Sequence, residues 1–127
     1  MQEKHLYEYA VIRVVPYVER EEFVNAGIVL FSKRAKFIRV YISINEKKLR
    51  CFSPEIDLEQ IKKNLESFEK IALGAQGSGP IGAMDLPSRF RWLTAIRSSV
   101  IQTSKTHPGI CDDLEGTAKR LFEEMVV

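Results

Sequence analysis

The chain has 127 residues, 45% of them hydrophobic and 28% charged, with 19 basic side chains against 17 acidic ones. A chain of this length builds one core and buries roughly two-thirds of the surface its unfolded form exposes, so a single domain over residues 1–127 is expected and disordered or fibrous classes are excluded. A net charge of +2 is too balanced to mark a nucleic-acid-binding protein by itself, because such proteins carry a clustered basic footprint and a higher isoelectric point.

No apolar run approaches the roughly twenty residues of a membrane span, and the opening MQEKHLYEYA lacks the apolar core of a signal peptide. A cytoplasmic location follows as the expectation. Cys51 and Cys111 have neither the CxxC spacing of a metal or redox motif nor the density of a disulfide scaffold, and are read as reduced thiols.

In chain order, LYEYAVIRVVPY alternates Ala10, Ile12 and Val14 against Tyr7, Tyr9, Val11, Arg13 and Val15, the pattern of a strand buried on much of both faces and ended by Pro16. VEREEF is a charged connector. VNAGIVLF reads as a second buried strand, SKRAK as a turn, and FIRVYISI as a third strand that turns Ile38, Val40, Ile42 and Ile44 inward and Arg39 and Tyr41 outward. The three are expected to form an antiparallel meander. Helical spacing then takes over. Asp57 followed by Gln60 is a capping-box signal, and Leu58, Ile61, Leu65, Phe68 and Ala72 make an apolar stripe that stops at Gly74.

GAQGSGPIG holds four glycines in nine residues and is expected to be a mobile surface loop. It lacks the GK[ST] ending of a phosphate-binding loop. A short helix from about Leu86 to Ala95 follows, then a fourth strand through SSVIQTS, a THPG turn, and a final helix from about Asp112 with Leu114, Ala118, Leu121, Phe122 and Met125 on one side. Strands followed by helices indicate an α+β fold: a small antiparallel sheet, a three-stranded meander plus a fourth strand, with helices packed on one face.

Candidate functional residues are polar side chains that interrupt apolar elements, since such groups cost stability unless they are paired or used. Asn25 and Gly27 break an otherwise apolar strand. They mark either a bulge stapled by the Asn25 amide or a place where a ligand approaches the backbone. Arg89, Trp92 and Arg97 lie on or just after the short helix, where guanidinium groups beside an indole can bind a carboxylate or phosphate. The alternative pairs the arginines with Glu19–Glu22. Those carboxylates have no His or further Asp at ligand spacing, so neither a metal nor any other cofactor is expected. Gln102 and Ser104 continue the polar stretch, and His107 in its turn is the candidate general acid or base.

Two blocks of this sequence, YAVIRVVPYVEREEFVNAGIVLF and RFRWLTAIRSSVIQTSKTHPGICDDLEGTAKRLFEEMV, together resemble the bacterial family catalogued as domain of unknown function 3037. The positions that carry the resemblance are Glu19, Arg20, Asn25, Gly27, Trp92, Arg97, Gln102, Ser104, His107 and Gly109. The family has no established activity, so the resemblance gives none of them a role. It does imply, through gene neighbourhood, a kinase-like protein partner.

The leading reading is an accessory or binding module with a polar cleft in which Asn25, Arg97 and His107 converge, with Arg89, Trp92, Gln102 and Ser104 contributing to an anionic ligand. The rival is a small enzyme acting on a phosphate- or carboxylate-bearing substrate with His107 as its acid/base. A weaker reading is nucleic-acid binding through Lys33, Arg34, Lys36 and Arg39.

Overall fold

The computed structural model describes residues 4–17, 20, 22–95 and 99–127. β1 (His5–Val14), β2 (Val24–Ser32) and β3 (Phe37–Ile42) form the antiparallel meander, each rich in the β-branched and aromatic residues that fit a pleated, half-buried surface. β1 is the hub. It pairs β2 along one side, and along the other it pairs β5 (His107–Cys111) through residues 5–9 and β4 (Ile101–Thr103) through residues 12–14. All these pairings are antiparallel, so the sheet is an α+β sheet of five strands.

The THPG stretch is therefore not a free turn. His107, Pro108 and Gly109 belong to an edge strand, where Pro is tolerated because the outer row of the ladder needs no donor. Gly109 is required there for another reason: any Cβ at this position would run into the ring of Tyr7 lying across it. Ser104 makes the joint between β4 and β5. Its amide donates to the Val11 carbonyl at 2.8 Å, and its hydroxyl accepts from the Val11 amide at 2.9 Å and donates to the Lys105 carbonyl at 2.9 Å. One side chain thus stands in for a ladder partner where the edge passes from β4 to β5.

α1 (Glu46–Phe52) begins at Asn45, whose side chain accepts from the Lys48 amide at 2.9 Å. α2 (Leu58–Leu73) begins at Asp57 and closes at Gly74, which takes the left-handed conformation at φ 65° that favours glycine. Its stripe of Leu58, Ile61, Leu65, Phe68 and Ala72 is buried as expected. The four larger side chains contribute on the order of 10 kcal/mol before the entropy of ordering the chain is subtracted. The glycine-rich stretch contains a single short turn of helix, α3 (Gly79–Gly82), and α4 (Leu86–Leu93) follows. α2 and α4 lie over Ala10, Ile12, Val14 and Val29, with Phe31 stacked on Phe90 at 4.7 Å.

α5 (Leu114–Met125) differs from the others. It packs Leu114, Ala118 and Leu121 on Ile28 and Leu30, flanked by Tyr7, Tyr9 and Tyr41, and so covers the opposite face of the sheet. The outward residues of β3 are accordingly half-buried. Tyr41 meets Phe122 with ring centroids 5.5 Å apart and donates its hydroxyl to Glu115, and Arg39 pairs with the same carboxylate at 2.7 Å. Amphipathic side chains read as solvent-facing because their tips are polar, but here those tips are consumed by one glutamate.

Among the described residues no helix is long and apolar enough to cross a membrane, and no cluster of His, Cys, Asp and Glu is placed to hold a metal ion.

Candidate functional site

The register of the sheet assembles a polar row that is not apparent in the sequence. Arg13 of β1 lies directly between Asn25 of β2 and Gln102 of β4. Residues directly opposed on neighbouring strands point to the same face, and Asn25 fixes which one: its amide donates to the Met125 carbonyl at 2.9 Å, at the C-terminal end of α5. Asn25, Arg13 and Gln102 thus form a line across three strands, just past the last turn of α5.

A β-bulge places Asn25 there. Ile12 opposes Gly27 while Arg13 opposes Asn25, so Ala26 is the extra residue of β2. Gly27 makes this possible, because a Cβ at that position would collide with the Tyr41 carbonyl oxygen and press on Ile12. The bulge reverses the alternation of β2. Ile28 and Leu30 belong to the α5 layer, whereas Val24 and Ala26 belong to the α2 layer and leave Asn25 facing α5.

Arg13 is half-buried, and its guanidinium carbon sits 4.0 Å from the centroid of the Phe23 ring. A guanidinium stacked on an aromatic face directs its N–H donors sideways, in the plane where a carboxylate or phosphate can meet them. Two atoms of the row are buried without a hydrogen-bond partner in the protein, the Arg13 Nε and the Asn25 Oδ1. Such groups are uncommon in folded proteins because each forfeits its hydration. Among the described residues no carboxylate forms an ion pair with Arg13. Gln102 is held by its own bond, donating to the Ser99 carbonyl at 2.8 Å.

The remaining candidates are placed elsewhere. His107 is exposed on the edge strand, opposite Tyr9 and with its ring 5.2 Å from the Tyr9 ring. Asn25 and His107 are separated by four residues along β1 and by two strand spacings, roughly 16 Å by strand geometry. They therefore do not converge, and Arg97, expected as the third member, lies outside the described residues. Arg89 faces away from the row. Its Nε and Nη1 donate to the carbonyls of Ala72 and Met84 at 3.3 and 2.6 Å, fastening α4 to the end of α2 and to the turn between α3 and α4. Trp92 borders a separate hollow of about 300 Å³ with Phe68, Ile71 and Leu93. Ser104 is occupied at the β4–β5 joint. In the acidic connector Glu19 and Glu21 lie outside the described residues, while Glu22 pairs with Arg20 at 2.7 Å and not with the arginines of α4.

Arg13 is the residue that sequence reasoning missed. The strand pattern groups it with Tyr7, Tyr9, Val11 and Val15 on one face of a strand buried on much of both, although a charge between Ile12 and Val14 in such a strand is itself a signal.

The chain belongs to the family described as Protein of unknown function (DUF3037), whose model matches residues 9–126. No curated protein and no solved structure matches the chain.

Proposed function

We propose that this member of the family is a binding module whose row of Asn25, Arg13 and Gln102 receives an oxyanion carrying an adjacent hydrogen-bond donor, such as a hydrogen phosphate or a hydroxycarboxylate. The observation that carries this reading is the pair of orphaned buried atoms on neighbouring strands, one donor and one acceptor, beside a guanidinium with no anionic partner among the described residues. An oxyanion would satisfy the Arg13 donors in its plane, and a hydroxyl on the same ligand would satisfy Asn25 Oδ1. The group could belong to a small molecule or to a protein partner, including the kinase-like partner that the family resemblance implies.

The reading is tested by following the Arg13 Nε–Hε resonance while inorganic phosphate or a 2-hydroxycarboxylate is titrated into the folded protein. A saturable shift that disappears in Arg13→Met and weakens in Asn25→Ala is expected. A resonance unmoved by millimolar amounts of either anion overturns it. The rival enzymatic reading draws less support. The ring contact of His107 is to Tyr9, and no hydroxyl, thiol or carboxylate bonds to its imidazole among the described residues.

A further inference from the structure

At the N-terminal end of β1 the layer formed by α2 and α4 runs out. Phe31, stacked on Phe90, marks its limit. Beyond it Leu6 and Ile110, directly opposed on β1 and β5, are 65% and 64% exposed. An open trough of about 590 Å³ lies here, bordered by Leu6, Phe31 and Pro108 and flanked by Lys33 and Arg34 at the start of the β2–β3 turn. Among the described residues neither cation forms an ion pair, whereas Arg39 on the same hairpin is taken by Glu115. Among the described residues bordering the trough, the Glu8 carboxylate stands against the two cations Lys33 and Arg34, which leaves their charge net positive.

We propose that this trough docks an apolar segment of a protein partner that carries acidic residues beside its apolar anchors. Soluble domains rarely leave two large aliphatic side chains side by side and mostly exposed unless another surface covers them. Shape argues against a small molecule. Such sites enclose most of their ligand, whereas Leu6, the aliphatic side chain that would grip one here, is itself largely open to solvent. A polypeptide segment needs only one of its faces covered. Charge then selects the partner, because two unpaired cations beside an apolar floor reward Asp or Glu next to the anchors and disfavour basic segments. Nucleic acid fits less well, since it would place an apolar floor beneath a phosphate backbone and would find Arg39 already engaged.

The probe is a displayed library of random peptides of about a dozen residues, selected on the intact chain, with the recovered peptides then synthesised and their affinities measured. Selected peptides are expected to share apolar residues flanked by Asp or Glu. Leu6→Asp should weaken them at least about tenfold, and Lys33→Glu combined with Arg34→Glu should abolish binding. Arg13→Met should leave it unchanged, which separates this surface from the anion row. All four positions are half-buried or exposed, and thermal melts establish that each variant is folded before its affinity is read. The proposal is overturned by peptides that lack acidic residues, by binding that survives Leu6→Asp, or by failure to enrich any sequence. Sedimentation showing a dimer of this chain that Leu6→Asp disperses would also overturn it, because the occupant would then be a second copy.

Discussion

The two faces of the sheet are built differently, although the same strands supply both. The face beneath α2 and α4 is a nearly continuous aliphatic and aromatic layer in which Ala10, Ile12, Val14 and Val29 meet Ile61, Leu65 and Phe90. The face beneath α5 has a small apolar centre of Ile28, Leu30, Leu114, Ala118 and Leu121, surrounded by side chains with polar tips. Tyr41, Arg39 and Glu115 close one end of that face, and Asn25, Arg13 and Gln102 lie at the other. The first face supplies most of the stability. The second holds the orphaned Arg13 and Asn25 atoms, since polar groups spared from pairing are tolerated only where a robust layer elsewhere offsets their cost.

The largest effect should come from the apolar face. Leu65→Ala removes a side chain that is 1% exposed and should cost about 2–5 kcal/mol in denaturant unfolding, the range for core truncations that leave a cavity. A smaller loss would mean that α2 is less essential than its burial indicates. Gly27→Ala comes next. Its methyl would meet a backbone carbonyl that cannot swing away, so a loss of about 1–3 kcal/mol is expected, together with perturbed amide shifts at Tyr41 and Ile12.

Smaller still is the response of the α5 face to pH. The hydrogen bond from Tyr41, aided by Arg39 and opposed by desolvation, holds the Glu115 carboxyl below its ordinary range. The same bond, with desolvation and the Glu115 charge, pushes the Tyr41 hydroxyl above its ordinary value. A carboxylate with a lowered pKa lends stability above its unfolded value and loses it as pH falls through its folded one. A phenol with a raised pKa lends stability below its unfolded value and loses it as pH rises through its folded one. The melting-temperature difference between wild type and Glu115→Gln should therefore be greatest between mildly acidic and mildly alkaline pH and shrink towards both extremes. A difference that stays flat across that range would show that the cluster does not couple α5 to β3. The effect should be modest, because the Glu115 and Arg39 side chains are 39% and 43% exposed.

The smallest change is expected at the row itself. Arg13→Met removes an orphaned buried donor along with a ring contact worth about 0.5–1 kcal/mol, so stability should stay within about 1 kcal/mol of wild type while anion binding disappears. A loss as large as that of Leu65→Ala would identify Arg13 as a structural residue and erase the contrast between the faces.

The sequence declared the first face and concealed the second. The Asp57 cap, the stripe from Leu58 to Ala72 and the Gly74 stop are local signals of a helix, and local signals survive in one dimension. α1 was missed although Asn45 carries a usable cap signal, because its seven residues bury only Leu49 and show no periodicity. The position of α5 could not be read, since an apolar stripe states that a helix is covered without stating by which face of the sheet. The candidate site was half legible. Asn25 and Gln102 stood out as polar interruptions, but their meeting across Arg13 depends on strand order and on a one-residue bulge, both properties of long-range pairing. His107 was read as a turn because a His-Pro-Gly string usually makes one, and pairing with β1 overrode that local preference.

The bulge at Ala26 also bears on how this chain avoids misfolding. β2 is apolar along nearly its whole length, and a strand so uniform could slide two residues between its neighbours β1 and β3 while still burying hydrophobic side chains. The kink removes that freedom. In a slipped pairing a residue bearing a Cβ would take the place of Gly27 against the Tyr41 carbonyl, and Asn25 would lose its bond to Met125. Position along the ladder is thus enforced by collision as well as by attraction. A variant that relaxes the kink should reveal itself first during refolding, as slower recovery and more aggregate at high protein concentration.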